Sequence, residues 1–416
     1  MKIIVMGAGV IGVTCAYELL RDGHEVEIIE RESEVALAAS YANAGLIAPS
    51  HSFAWASPKV PKILLKSLYR NDQAFRIRPT LDPEFWRWTL KFLSQCTSSR
   101  ARLNTGRKLR LAGYAQERLH TILDEVDIDF DRIEDGIIFY YRSPETLKAG
   151  IANTAIISES GREFEIVDAA RIAELDPVFE PVRHKIAGGI YSHADESGNS
   201  NLFTQGLAAV CQKKGAKFHF DTTIERIVAN DTKVEQIVTS KGTMSADAYV
   251  LSLGVWSPLL TRSIGLRLPV YPVKGYSMTA PVASTNTPPR LGAVDEDRLL
   301  AYCPMGDTIR FTSTAQFSGY DLNHKPGDFA NIMDVARDIL PDAADYSRPD
   351  HRACLRPMTP EGTPVFGTGR LENLHLNTGH GHMGWTMACG AARIAADLIA
   401  GKTPDIPLDG MTLERG

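Results

Sequence analysis

Two stretches at opposite ends of the chain carry glycines at the spacing that cradles a pyrophosphate. Near the start, "GAGVIG" sets Gly7, Gly9 and Gly12 in the pattern G-x-G-x-x-G. Near the end, "GHGHMGW" repeats it with Gly379, Gly381 and Gly384. In this pattern the first glycine permits a tight turn and the second lets the backbone approach phosphate. The third lets a helix pack closely on a strand, with the helix N-terminus facing the negative charge. Two motifs mean either two dinucleotide sites or one site built from both ends of the chain.

The elements around each motif differ. "KIIVM" is a short apolar run suited to a buried parallel strand, "IGVTCAYELLRDG" has helical spacing and stops at Gly23, and "HEVEIIE" reads as a second strand. Glu30 ends that strand, where an acid can accept hydrogen bonds from ribose hydroxyls; adjacent Arg31 weakens its bias against a 2′-phosphate. The first motif therefore has the full strand–turn–helix–strand context of a dinucleotide site. The second has the strand "NLHLNTG" and a following helix, but "KTPDIPLDGMTLERG" offers no closing strand. It is half a site, suited to setting a helix N-terminus against a ligand held elsewhere.

Between these ends the pattern changes several times. Residues 52–125 are mostly helical in spacing and rich in Lys and Arg. "DGIIFYY", "IAGGIYS", "LPVYPVKGYSMTA", "RLLAYCP" and "DTIRFTSTA" are strand-like, and "TTIERIVAND" with "KVEQIVTSKG" reads as a β-ribbon. The fold class predicted is α/β with α+β: a discontinuous Rossmann-like nucleotide-binding domain over residues 1–51, 195–260 and 351–416. Residues 52–194 and 261–350 form a second, mostly antiparallel substrate-binding domain with 52–125 as a helical excursion.

Composition removes other classes. With 416 residues, at roughly 100–200 per domain, two to three domains are expected. A net charge of −5 is too small and of the wrong sign for a nucleic-acid footprint. The six cysteines are scattered without a C-x-x-C, which argues against zinc or iron–sulfur sites and fits a reducing compartment. No metal is expected, and no Ser-His-Asp order, P-loop or H-E-x-x-H pattern competes. The glycine-interrupted start reads as a strand rather than a signal peptide, so a cytoplasmic location is expected. The segment "PKVPKILLKSLYRNDQAFRIR" is basic and apolar enough for peripheral contact with the inner face of the cytoplasmic membrane; a solvated basic face or a subunit contact, homo- or hetero-oligomeric, is the other reading.

Several stretches together resemble the D-amino acid oxidase superfamily of flavoproteins, most closely its bacterial D-amino acid dehydrogenase branch of the small-subunit type. They are the N-terminal motif, "ASYANAGLIAPS", "FAWASPKVP", "NLFTQGLA", "DAYVLSLGVWS", "PVYPVKGYS", "LRPMTPEGTPVFG" and "LNTGHGHMGWTMACG", in order over nearly the whole chain. The resemblance implies one FAD. Gly7, Gly9, Val10, Ile11 and Gly12 would hold its pyrophosphate, and Glu30 and Arg31 its adenosine ribose. Ser40, Asn43, Gly45 and Leu46 match the stretch that runs past pyrophosphate and flavin. Ile224 matches an adenine contact, and Gly254 and Trp256 the turn beside the cofactor. Gly381, Met383, Gly384, Trp385 and Thr386 would bring a helix N-terminus to the flavin, with His380 packed beneath it.

The implied activity is oxidative deamination of a D-amino acid, hydride passing from the substrate α-carbon to the flavin and electrons then to a quinone or another acceptor. A cyclic secondary amine such as D-proline or hydroxy-D-proline, or a sarcosine- or glycine-type oxidase using oxygen, are the alternatives. Arg356 matches the carboxylate-binding arginine, a guanidinium being the side chain that forks onto a carboxylate. Tyr276 and Tyr302, on strands expected to floor the pocket, would add hydroxyls. His382 departs from the family pattern and stands as a candidate to take the ammonium proton or touch the substrate side chain.

Overall fold

The computed structural model describes residues 1–61, 75–78 and 80–414. Its first layer is a six-stranded sheet in the order Val365–Thr368, Leu374–Thr378, Ala248–Leu251, Lys2–Met6, Glu25–Ile29, Lys217–His219. Every pairing is parallel except that of the first two strands. A parallel strand is covered on both faces, so it must be apolar throughout, and Ile3, Ile4, Val5 and Met6 are all fully buried.

One face of this sheet carries the helices Val10–Arg21, Ser200–Lys213 and Gly384–Ile399, with Ser98–Glu125 against them; Val13, Leu119, Phe203, Leu207, Trp385 and Ala392 share their core. The other face carries a three-stranded antiparallel sheet, Ile224–Ala229, Val234–Thr239 and Gly242–Met244, which contains the expected ribbon. A buried ionic cluster ties helices far apart in sequence. Glu18 accepts from Arg118 at 2.9 Å and from Arg393 at 2.8 Å.

A second sheet contains nine described strands, led by Asp350–Met358, Tyr271–Pro281, Thr308–Phe317 and Leu300–Met305, each antiparallel to its neighbour in that order. The helix Ala330–Ile339 packs on its outer face. Two expected boundaries shift. Residues 350–358 belong to this sheet, not to the six-stranded one, because Val273 pairs with Arg356. Within the expected helical excursion, Pro83–Ser94 packs near the second sheet, whereas Ser98–Glu125 packs on the nucleotide-side helices. The basic segment proposed for a membrane or subunit contact lies mostly outside the described residues.

Strand alternation decides two expected site residues. Tyr276, Met278 and Ala280 face the helix Ala330–Ile339, as do Leu300 and Tyr302. Tyr276 is hydrogen-bonded to Gln316 Oε1 at 3.0 Å and packs edge-on against Phe329. Tyr302 is fully buried beside Phe311. Neither tyrosine lines the cleft described below. Their neighbours do: Ala301 lines it, and Gly275 abuts Arg356.

Candidate active site

A cleft of about 1320 Å³ runs between the two sheets. Most of the residues singled out in the sequence converge on it, from Gly7, Gly9, Val10 and Ile11 at one end to Arg356 and His382 at the other. At the first end Gly7 is left-handed (φ 100°), and a Cβ there would lie 3.0 Å from Ser252 O. Gly9 caps the helix Val10–Arg21 without a side-chain cap, so the first turn presents N–H groups to the cleft. Ser40 Oγ accepts Val10 N–H at 2.9 Å. Gly12 stands behind the cleft as a packing glycine: its Cβ would sit 1.9 Å from Gly7 O.

The acidic and aromatic residues at this end are held in place by the backbone and by each other. Glu30 accepts Ala8 N–H at 2.8 Å and Glu32 N–H at 3.1 Å, which fixes its carboxylate at the strand end. The Arg31 guanidinium lies over the Trp256 ring, 4.6 Å from its centroid, next to the left-handed Gly254. Ile224 completes this wall. Asn43 shapes the loop it sits on, donating to Ser40 O and Ser200 Oγ and accepting Gly45 N–H. Gly45 and Leu46 also line the cleft.

The C-terminal motif supplies the middle of the cleft. Gly379 (φ 79°) and Gly381 (φ 61°) turn the chain through Gly381–Met383 into the helix Gly384–Ile399, which again has no side-chain cap. Gly381, Met383, Gly384, Trp385 and Thr386 all line the cleft. Thr386 bridges to the neighbouring segment, donating to Leu46 O and accepting Ala48 N–H. Ser252 Oγ, both amide atoms of Asn377, His380 Nε2 and Trp385 Nε1 are buried along this stretch without a hydrogen-bond partner among the described residues. Buried polar atoms are almost always satisfied, so this row calls for a polar ligand. Two helix N-termini whose cap residues lend no side chain, left-handed glycines that turn the backbone into them, and unsatisfied polar atoms between them fit one extended dinucleotide.

Arg356 lies at the other end of the cleft. Its Nη1 donates to Thr314 O at 2.8 Å, and Thr314 holds an unusual left-handed backbone (φ 67°). A Cβ on Gly275 would meet Nη2 at 2.5 Å, so only glycine leaves room for the guanidinium. Burial lowers the pKa of this arginine, and no described carboxylate offsets that burial. His382 stacks on Trp55, ring centroids 4.6 Å apart. Burial holds its imidazole far below the ordinary range, and the nearby charges of Lys108, Arg356 and His51 act in the same direction. Burial and these charges disfavour its protonated form, which favours a packing or hydrogen-bonding role over storage of a proton.

Three further features mark this end. Trp55 forms the wall against His382. Lys108, fully buried on the long helix, donates to Phe53 O at 2.7 Å, and burial pushes its ammonium down to about 7. His51 pairs with Glu296 at 2.8 Å. A lysine in a helix crowded with Arg and Lys reads as solvated, and no spacing links His51 to a residue so distant in the chain.

Among described residues no helix is long and apolar enough to cross a membrane, and no cluster of metal-ligating side chains occurs. Residues 2–398 match the family described as FAD dependent oxidoreductase. The chain is 45% identical over 412 residues to D-amino acid dehydrogenase 2 of Mesorhizobium japonicum, covering 99% of both chains. It is 39% identical over 415 residues to a D-amino acid dehydrogenase of Bradyrhizobium diazoefficiens, covering 100% of this chain and 99% of the relative. Among solved structures, glycine oxidase from Geobacillus kaustophilus superposes with a TM-score of 0.78 at 20% identity, covering 100% of this chain and 99% of that one. L-proline dehydrogenase from P. horikoshii does so with 0.75 at 17%, covering 99% and 96%. With its cleft built from both glycine motifs, the chain belongs to the family of FAD dependent oxidoreductases.

Proposed function

We propose that this enzyme is an FAD-dependent D-amino acid dehydrogenase that oxidises its substrate to an imino acid, which water converts to a 2-oxo acid and ammonia. The observation that carries the reading is Arg356: a guanidinium inside the cofactor cleft, given space by Gly275 and without a carboxylate partner among the described residues. A buried cation in that state is suited to a carboxylate from outside. The full-length relatives named D-amino acid dehydrogenase support the same substrate class.

In this reading Gly7, Gly9, Val10 and Ile11 hold the pyrophosphate, Glu30 the ribose, and the Gly381–Thr386 stretch the flavin. Bound there, FAD supplies a two-electron hydride acceptor. The protein fixes the carboxylate, orients the α-carbon and excludes water, which is most of what such a reaction asks of it. Electrons leave to a quinone. The solvent-facing side of the helix Pro83–Ser94, with Trp86, Leu90 and Leu93 exposed, supports contact with the bilayer where a quinone resides.

The test is anaerobic bleaching of the yellow holoenzyme by a panel of D-, L- and N-alkyl amino acids. The D-isomers are expected to bleach it, with slow return of colour in air. Bleaching only by L-isomers, or by none, rejects the substrate class; fast return of colour in air rejects the quinone acceptor.

A further inference from the structure

Oxidation of an amino acid needs more than a carboxylate anchor. At neutral pH the amino group is an ammonium ion, and its nitrogen lone pair must be free before hydride can leave the adjacent carbon. Some group has to take that proton. His382 was the candidate in the sequence, but it sits among Lys108, Arg356 and His51, whose charges oppose a further positive charge. His380 is buried behind the Gly381 turn and pushed down to about 3 by burial. Lys108 does not line the cleft and directs its ammonium at Phe53 O.

His51 differs from all of these. It ends the short turn Pro49–His51 and lines the cleft, and its Nε2 lies 2.8 Å from Glu296 Oε1. Glu296 follows the strand Gly292–Asp295 and also lines the cleft. The other cleft-lining acids, Glu30, Glu32 and Glu225, belong to the nucleotide end. The His51 ring is clamped flat on Phe139, centroids 5.1 Å apart and planes 2° from parallel. A carboxylate on one ring nitrogen and an aromatic face behind the ring fix both tautomer and orientation, the arrangement general bases use.

We infer that His51, oriented by Glu296, accepts the proton of the substrate ammonium. The inference rests on the proposed amino acid substrate. With Nε2–H donated to Glu296, the lone pair lies on Nδ1. One N–H bond of the ammonium breaks, the proton binds Nδ1, and the electron pair stays on the substrate nitrogen. That pair then forms the C=N bond as hydride leaves the α-carbon, and the proton passes to water after the product departs. The charged groups facing His51 are Glu296 from the second sheet, Lys108 from the long helix, and Asp195, which is bonded to Ser50; burial lowers the affinity of His51 for a proton, and Glu296 more than offsets it, so the net direction is upward.

The experiment is anaerobic stopped-flow reduction of the holoenzyme by the D-amino acid that bleaches it best, followed across pH for wild type, His51→Asn and Glu296→Gln. FAD content and melting temperature serve as controls for folding. His51→Asn is expected to be slower by roughly 100-fold at pH 7. Its deficit should shrink about tenfold for each pH unit upward, because free amine from solution replaces the missing base. Glu296→Gln should move the wild-type inflection to lower pH and lower the plateau. A deficit in His51→Asn that is absent, or constant with pH, overturns the inference, as does an inflection that Glu296→Gln leaves in place or raises. A wild type that no amino acid bleaches overturns the substrate reading itself, and this inference with it.

Discussion

At the scale of single residues, motif matching brought Arg356 to the cleft but not the side chains around it. Arg356 was singled out because "CLRPMTPEG" matches the stretch that carries a carboxylate-binding arginine in the family it resembles. Tyr276 and Tyr302 were assigned to the cleft because they lie on strands of the right sheet, but one residue of register turns a side chain to the opposite face. Register could not be read from these strands, since both faces of the sheet are buried and the usual polar alternation is missing. The geometry at Arg356 makes its role measurable. Lysine would keep the charge but lose the fork, and alanine would lose both. Arg356→Ala should weaken substrate binding by roughly 100-fold or more and Arg356→Lys by about tenfold, with FAD content unchanged in both. Substrate affinity from the concentration dependence of flavin reduction checks this, and wild-type affinity in the alanine variant would remove Arg356 from the site.

At the scale of elements, the N-terminal strand–turn–helix–strand unit and the half-motif at the C-terminus were both legible, because each glycine there answers to a local backbone demand. Contacts between elements distant in the chain were less visible. The long helix Ser98–Glu125 looked like part of an excursion because its charge pattern is solvated in isolation. In the fold it crosses the helix Gly384–Ile399 so closely that a Cβ on Gly390 would lie 2.8 Å from Ala115 Cα. The obstacle is backbone, which cannot rotate away. Gly390→Ala should therefore cost stability by about 1–3 kcal/mol despite the better helix propensity of alanine, and should loosen FAD because the same helix presents its N-terminus to the cleft. Thermal melts with and without added FAD measure both effects. A melting temperature equal to or above wild type would mean that the two helices separate without penalty.

At the scale of the whole molecule, two sheets share one cleft, and the chain crosses between them repeatedly; that interleaving explains why a limit read from pattern changes near residue 350 falls inside a strand of the second sheet. Among the described residues, one helix presents an apolar stripe to the outer surface. The helix Pro83–Ser94 buries Phe85, Trp88 and Phe92 and turns Trp86, Leu90 and Leu93 outward at helical spacing, with Leu81 nearly fully exposed just before it. Arg87 and Lys91 lie on the same helix. Through Trp88 Nε1, which donates to Met358 O at 2.9 Å, the helix braces the strand that carries Arg356. An apolar stripe with cations beside it suits the interface of an anionic bilayer, and this stripe would set the substrate end of the cleft near the membrane. Replacing Trp86 and Leu90 together by glutamate removes apolar surface and adds negative charge at exposed positions, so the fold is little affected. Binding to vesicles of phosphatidylcholine with phosphatidylglycerol should fall by roughly tenfold or more. Turnover with a vesicle-borne quinone should fall with it, while anaerobic reduction by the amino acid stays at the wild-type rate. Equal vesicle binding by the two proteins would separate the stripe from any membrane role.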